Sequence, residues 1–318
     1  MKKSILASSI LALLVASAAN AGQTFDTAAG SLSIGGDVEF NYESNNTSNL
    51  TSGGDVTIVV KGERLLDNNA YAGFSVATEA GLDGNVTFDD RKFVIGQKND
   101  WSLALGAFEA TNLSPAGADM SLTTSGAVSG YNGGKARGRA AGSEQTQVTF
   151  NKEAGALGYE LTASSQDSGD LVILRPIVTY SAAKFSLAVG AEVPVVDTQD
   201  HADWTGYAAT GTFEASDMVS ITLRAATRSG TEFDTVTSTI VAADNMTAGV
   251  GVGIQNFYLG AELNDNSTDT ETSLYTAYKI PAIMDIDNLD FHLGAGYAFA
   301  PDSANDVTTV KFRVKYIF

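Results

Sequence analysis

The sequence predicts an all-β protein: a transmembrane antiparallel β-barrel of sixteen strands. Three observations predict it. Apolar and polar side chains alternate with period two along most of residues 22–318, the mark of strands with two unlike faces. Most alternating segments are near ten residues, the length a tilted strand needs to cross a bilayer. The connections between them alternate short and long. Composition agrees. The 318 residues include 32 Gly, 5 Pro and no Cys; 44% are hydrophobic and 18% charged, and the mean hydropathy is +0.01. That average is too apolar for a disordered chain and too polar for a bundle of membrane helices.

One apolar run stands apart. Lys2 and Lys3 precede Ile5 to Ala19, and Ala19-Asn20-Ala21 closes the segment. A basic start, a short apolar stretch and a small-x-small ending describe a secretory signal peptide over 1–21, with the barrel over 22–318. Without 1–21 the chain keeps 17 basic and 37 acidic side chains, a net charge of −20. So acidic a protein is a poor binder of nucleic acid, whose phosphates attract basic surfaces. An exported chain without cysteine has no disulfide framework, so a large sheet must stabilise it.

The first strand, 31–42, sets Leu32, Ile34, Val38, Phe40 and Tyr42 against Ser33, Asp37, Glu39 and Asn41. Strands 54–66, 70–80, 86–96 and 101–109 follow, joined in turn by a long loop from 43, Asp67-Asn68-Asn69, a loop at 81–85 and Gln97 to Asp100. The longest connection, 110–143, leads to strands 144–152 and 157–165, which flank the turn Glu153 to Ala156. Strands 171–181 and 185–193 meet at Ala182 to Lys184. Beyond the loop 194–203, strands 204–214 and 219–228 meet at Ala215 to Met218. In 219–228, Val219, Ile221 and Leu223 oppose Ser220, Thr222 and Arg224. Strands 246–254 and 257–264 meet at Gln255-Asn256. The last three are 272–280, 289–299 and 307–318. Leu289, Phe291, Leu293, Tyr297 and Phe299 oppose Asp290, His292 and Gly294; Val310, Phe312, Val314, Tyr316 and Phe318 oppose Lys311, Arg313 and Lys315.

Thr235 to Val241 could form a seventeenth strand. An odd count would place the chain ends on opposite sides of the membrane, so 229–245 is read as one long loop. A soluble sandwich also alternates, but it does not explain aromatics at strand ends (Tyr42, Trp101, Tyr180, Phe213, Tyr297, Phe318), which suit interfacial girdles.

With export signal, strand number and terminal aromatic in place, the chain resembles the outer-membrane porins of Gram-negative bacteria. The last strand, Val307 to Phe318, ends in Tyr316-Ile317-Phe318, and Phe318 resembles the porin assembly signal. Trp101 to Glu109, followed by the 34 residues 110–143, looks like the fifth porin strand leading into the third loop, which narrows the pore. The acidic constriction motif of enterobacterial general porins is missing. The resemblance implies a homotrimer in outer-membrane lipid and lipopolysaccharide, passing ions and small hydrophilic solutes by diffusion.

A sixteen-stranded barrel is too wide for its own side chains to fill, so its polar faces line water. By alternation these include Asp37, Glu39, Lys61, Glu63, Glu79, Glu160, Arg175, Glu192, Arg224, Glu262, Lys279, Asp290, Lys311, Arg313 and Lys315. Loops on the long side other than 110–143 hold fifteen acids and no Lys or Arg. Loop 110–143 carries Lys135, Arg137 and Arg139 against Asp119. The expectation is an acidic mouth above a locally basic constriction. There the loop cations and wall residues Arg224, Lys311, Arg313 and Lys315 set a transverse field. Against this, barrel closure would pair the Lys311-Arg313-Lys315 ladder with Asp37 and Glu39, leaving less field in the lumen.

No other chemistry is expected. The two histidines, His201 and His292, belong to no nucleophile motif, so no catalytic residues are assigned. Asp197, Asp200, His201 and Asp203 match no calcium-loop spacing, and Gly130 to Gly134 lacks a P-loop ending. No metal or cofactor is assigned. Three other readings of the barrel are an oligosaccharide-specific channel, with Tyr131, Trp204, Tyr258 and Tyr275 as sugar-stacking candidates, an outer-membrane enzyme, and a structural or adhesive barrel that would not conduct. Small residues in 246–254 (Ala248, Gly249, Gly251, Gly253) suggest a surface that packs against a neighbouring barrel.

Overall fold

A computed structural model describes residues 22–27, 30–46, 50–82, 84–113, 146–166, 171–197, 202–234, 239–266, 269–299 and 306–318. Among them run β1 (Gln23–Thr27), β2 (Gly30–Asn45), β3 (Thr51–Leu65), β4 (Ala70–Gly81), β5 (Val86–Gln97), β6 (Trp101–Ala107), β7 (Thr146–Ala154), β8 (Leu157–Gln166) and β9 (Leu171–Ala182). The second half supplies β10 (Phe185–Asp197), β11 (Ala202–Ser216), β12 (Val219–Asp234), β13 (Thr239–Ala242), β14 (Asn245–Ile254), β15 (Phe257–Asp265), β16 (Thr270–Ile280), β17 (Leu289–Phe299) and β18 (Val307–Ile317).

Strands consecutive in sequence pair antiparallel, except that β14 pairs with β12 rather than β13, and β18 pairs with β2 in the register Lys311↔Glu43, Arg313↔Asn41 and Lys315↔Glu39. That pairing closes the sheet and leaves no edge in the hydrocarbon, as lipid requires. At the seam the backbones of Gly36 and Phe318 exchange two hydrogen bonds of 3.0 Å.

The two shortest strands add no stave. β1 pairs with Gly30–Ile34 of β2, beyond the segment taken by β18. β13 pairs with the far end of β12 (Thr231↔Ala242 to Asp234↔Thr239), while β14 pairs with the rest. The barrel is therefore sixteen-stranded, as the alternation predicts. Two boundaries differ from expectation. Gln23–Thr27 is strand, and 229–245 is not one loop, because β12 runs on to Asp234 and folds back through β13. Backbone pairing with a neighbour already in place extends these strands past the point where side-chain alternation fades. One short-side connection is also longer than its peers: 281–288 carries a 3-10 turn at Ile283–Asp285.

The two faces differ as a membrane barrel requires. Outward side chains include Phe74 (45% exposed), Phe93, Tyr180, Phe213 and Tyr278, and the girdle candidates Tyr42 and Tyr297 are exposed there too. Inward positions hold buried Gln147, Thr162, Arg175, Glu192, Arg224, Glu262 and Asn264. Among the described residues the face that looks into the barrel is mostly polar, with small apolar clusters around Leu113 and Trp204.

Candidate functional site: the lumen wall and the inbound limb of the third loop

Beyond β6 the chain turns inward. Gln147 Nε2 on β7 donates to the Phe108 carbonyl at 2.7 Å. Glu160 on β8 accepts from the Thr111 hydroxyl at 2.7 Å and from its backbone N–H at 3.3 Å. Arg175 on β9 donates from Nη2 to the Thr111 carbonyl at 2.9 Å. The same guanidinium lies 2.7 Å from Glu192 on β10 and 3.6 Å from Glu160, and all three side chains are under 8% exposed. Next, Leu113 is fully buried among Ile177, Ala188, Ala208 and Ala226, all on inward positions of β9 to β12. Residues 108–113 are thus held to the inner wall by a buried ion triad and an apolar socket.

A second panel covers β12 to β16. Arg224 forms a buried ion pair with Glu262 and donates to the Tyr275 hydroxyl at 2.8 Å. The rings of Tyr258 and Tyr275 are nearly parallel, 18° apart with centroids at 6.1 Å. Glycines make this arrangement possible. A Cβ on Gly249 would sit 2.8 Å from the Arg224 guanidinium, and one on Gly251 would sit 1.7 Å from the Tyr258 hydroxyl. One on Gly260 would meet the Tyr275 ring at 2.3 Å. Gly249, Gly251 and Gly253 therefore face inward and clear space for Arg224, Tyr258 and Ser220. Of the four small residues expected to pack outward, only Ala248 lies on the outer face, in phase with Met246 and Val250.

The third group lies across the seam. Lys311 pairs with Glu43 at 3.2 Å, Arg313 with Glu39 at 2.9 Å, and Lys315 with Glu39 at 2.6 Å and Asp37 at 3.1 Å. Asp290 lies 2.5 Å from Lys279 one strand away. This ladder carries little net charge. Towards the long-loop rim, Trp204 is 3% exposed beside Ile173 and Ala243; Arg228 caps its ring at 5.4 Å and donates to the Ala243 carbonyl at 3.1 Å.

Of the residues singled out in the sequence, Arg224, Lys311, Arg313, Lys315, Asp37 and Glu39 lie on the lumen wall. The last five gather at the seam, with Arg224 in its own panel. Asp119, Lys135, Arg137 and Arg139, with His201 and Tyr131, fall outside the described residues. Trp204, Tyr258 and Tyr275 all face inward rather than lying on rim loops. His292 also faces inward, in register with Lys279 and Arg313. Sequence reasoning placed Glu160, Arg175 and Glu192 on the lumen face but did not join them as a latch, since only the register across three strands brings them together. It passed over Lys92, whose strand carries a bulge: the β4–β5 register shifts between Val76 and Thr78. Among the described residues, no three His, Asp or Glu side chains are grouped to hold a metal ion.

Comparison with known proteins agrees with this architecture. A family profile described as Porin-like glycoporin RafY matches residues 24–167 and 143–318. No curated protein matches. Among solved structures, a loop L8 deletion mutant of OmpT, an outer membrane protein of Vibrio cholerae, is 11% identical with a TM-score of 0.70. That comparison covers 91% of this chain and 100% of the other. A variant of the Rhodobacter blastica porin is 13% identical with a TM-score of 0.59, covering 90% of this chain and 100% of the other. At such identities the structures support the fold, and the profile supplies the family. Together with the closed barrel and its polar lumen, they establish that the chain belongs to the Porin-like glycoporin RafY family and is an outer-membrane diffusion channel.

Proposed function

We propose that the chain is exported by a signal peptide over 1–21 and assembles in a Gram-negative outer membrane as a homotrimer among lipopolysaccharide. There it passes ions and small hydrophilic solutes without catalysing a reaction. Porin homologues are typically oligomeric channels for small solutes, which supports this reading. The observation that carries it is the docking of 108–113 on the inner wall. A loop that enters the lumen in this way is the start of a constriction, and 110–143 is proposed to complete it. The constriction field is assigned to Lys135, Arg137 and Arg139 with Asp119; Phe318 is assigned to assembly. Reconstitution into a planar bilayer tests the proposal. Current steps in groups of three, with selectivity altered when Arg137 and Arg139 are neutralised, support it. Well-folded barrels that never conduct refute it.

A second reading, passage of oligosaccharides, draws on the inward placement of Trp204, Tyr258 and Tyr275 and on the glycoporin description of the family profile. Current block by a trisaccharide, weakened in Tyr258→Ala, would favour it; equal passage of sugars and salt would remove it.

A further inference from the structure

We infer that Lys61 and Lys92 are the wall residues that set the ion preference of this lumen, and that they favour small anions. The inference rests on the channel reading.

Lys61 on β3 and Lys92 on β5 face inward in one cross-strand row. Ser33 pairs with Lys61, Lys61 with Ser75, and Ser75 with Lys92. Two strand spacings put their backbones about 9–10 Å apart. Both side chains are exposed. Neither has a carboxylate within ion-pair distance among the described residues. The Lys92 ammonium lies 5.5 Å from the centre of the Phe108 ring, which places it where the chain leaves the wall for the lumen. Between the two lysines stands Ser75, whose hydroxyl can donate to an anion held by either. The nearest carboxylate along β3, Glu63, is itself neutralised by Lys98 at 2.7 Å.

The other cations of the wall are engaged. Arg175 and Arg224 lie in buried ion pairs, and Lys279 and the seam ladder each sit on a carboxylate. A close pair of opposite charges projects little field beyond one Debye length, about 8 Å at physiological salt. Two unpaired ammonium groups side by side do project one. The long-loop ends of both strands lie beyond this row: Thr51 is ten residues from Lys61, about 33 Å along β3, and Val86 is six residues from Lys92, about 20 Å along β5. The net negative charge of the chain therefore does not predict its preference at this level.

The test is the zero-current potential of single channels in a potassium chloride gradient at about 0.1 M, where screening confines each charge to about 10 Å. The wild type is expected to favour chloride. Lys61→Gln with Lys92→Gln should lower the chloride-to-potassium permeability ratio about twofold or more. The paired control, Lys311→Gln with Glu43→Gln, should leave it unchanged. A wild type that favours potassium, a ratio untouched by the lysine double variant, or an equal change in the control would each overturn the inference. Absence of any conductance in folded wild-type barrels would instead overturn the channel reading. Strand content by circular dichroism and retained conductance show that each variant is folded.

Discussion

Arg175→Met removes the cation at the centre of the latch while keeping most of the side-chain volume. Arg175 is 3% exposed between Glu192 at 2.7 Å and Glu160 at 3.6 Å, and it also holds the Thr111 carbonyl. Taking one partner from a buried ion group leaves the others uncompensated and costs about 3–5 kcal/mol. Here two carboxylates are stranded together, so the upper part of that range is expected. Replacing the whole triad behaves differently. In Glu160→Gln/Arg175→Met/Glu192→Gln no buried charge is left, and most of the loss should be recovered, because neutral replacements of buried ion groups are often tolerated. The assay is guanidinium unfolding of barrels refolded in detergent, read by the fluorescence of the two tryptophans, Trp101 and Trp204. Single-channel recording is run alongside, where a released limb at 108–113 should appear as flickering current. A loss below about 1 kcal/mol, or a triple variant as unstable as the single one, would refute the reasoning.

Leu113→Ala empties the socket formed by Ile177, Ala188, Ala208 and Ala226. It should weaken docking of the limb by about 2–5 kcal/mol and raise current noise without changing strand content. Gly106→Ala should abolish refolding: φ is +147°, and a Cβ there would lie 2.0 Å from the Arg91 carbonyl oxygen, which as backbone cannot move aside. Removing Phe318 deletes both backbone hydrogen bonds to Gly36 and should lower the yield of heat-stable barrel on semi-native gels. Lys311→Gln with Glu43→Gln should change unfolding free energy by less than about 1 kcal/mol, since this half-exposed pair is screened by lumen water.

The latch and the seam show two uses of the same chemistry. At the seam, pairs such as Lys311 with Glu43 and Lys315 with Asp37 stay partly open to water and contribute little individually. Their lasting effect is to cancel charge that would otherwise project into the lumen. In the latch, burial raises the stakes, and a carboxylate without its arginine becomes costly enough to decide where the chain runs.

The barrel was legible in the order of residues alone. In a membrane, an alternating strand must put its apolar face to lipid and its polar face to water, so period two, strand length and loop alternation leave few other solutions. Even the seam pairs were legible, because closure obliges the last stave to meet the first. Tertiary structure decided what pairs and what is left unpaired. The bulge opposite Val76 and Thr78 resets the phase of β5, so that Phe88 and Phe93, five residues apart, both face lipid while Lys92 turns inward. A one-residue shift of phase exchanges the two faces of a strand, and alternation alone cannot show where it occurs. The latch needed the register of β8, β9 and β10, and the glycines of β14 looked like an outer packing surface until Arg224 and Tyr258 were seen lying over them. Periodicity reports which face a residue occupies. Only the three-dimensional register reports which neighbour it meets there, and in a wall of mixed charges that neighbour sets the field.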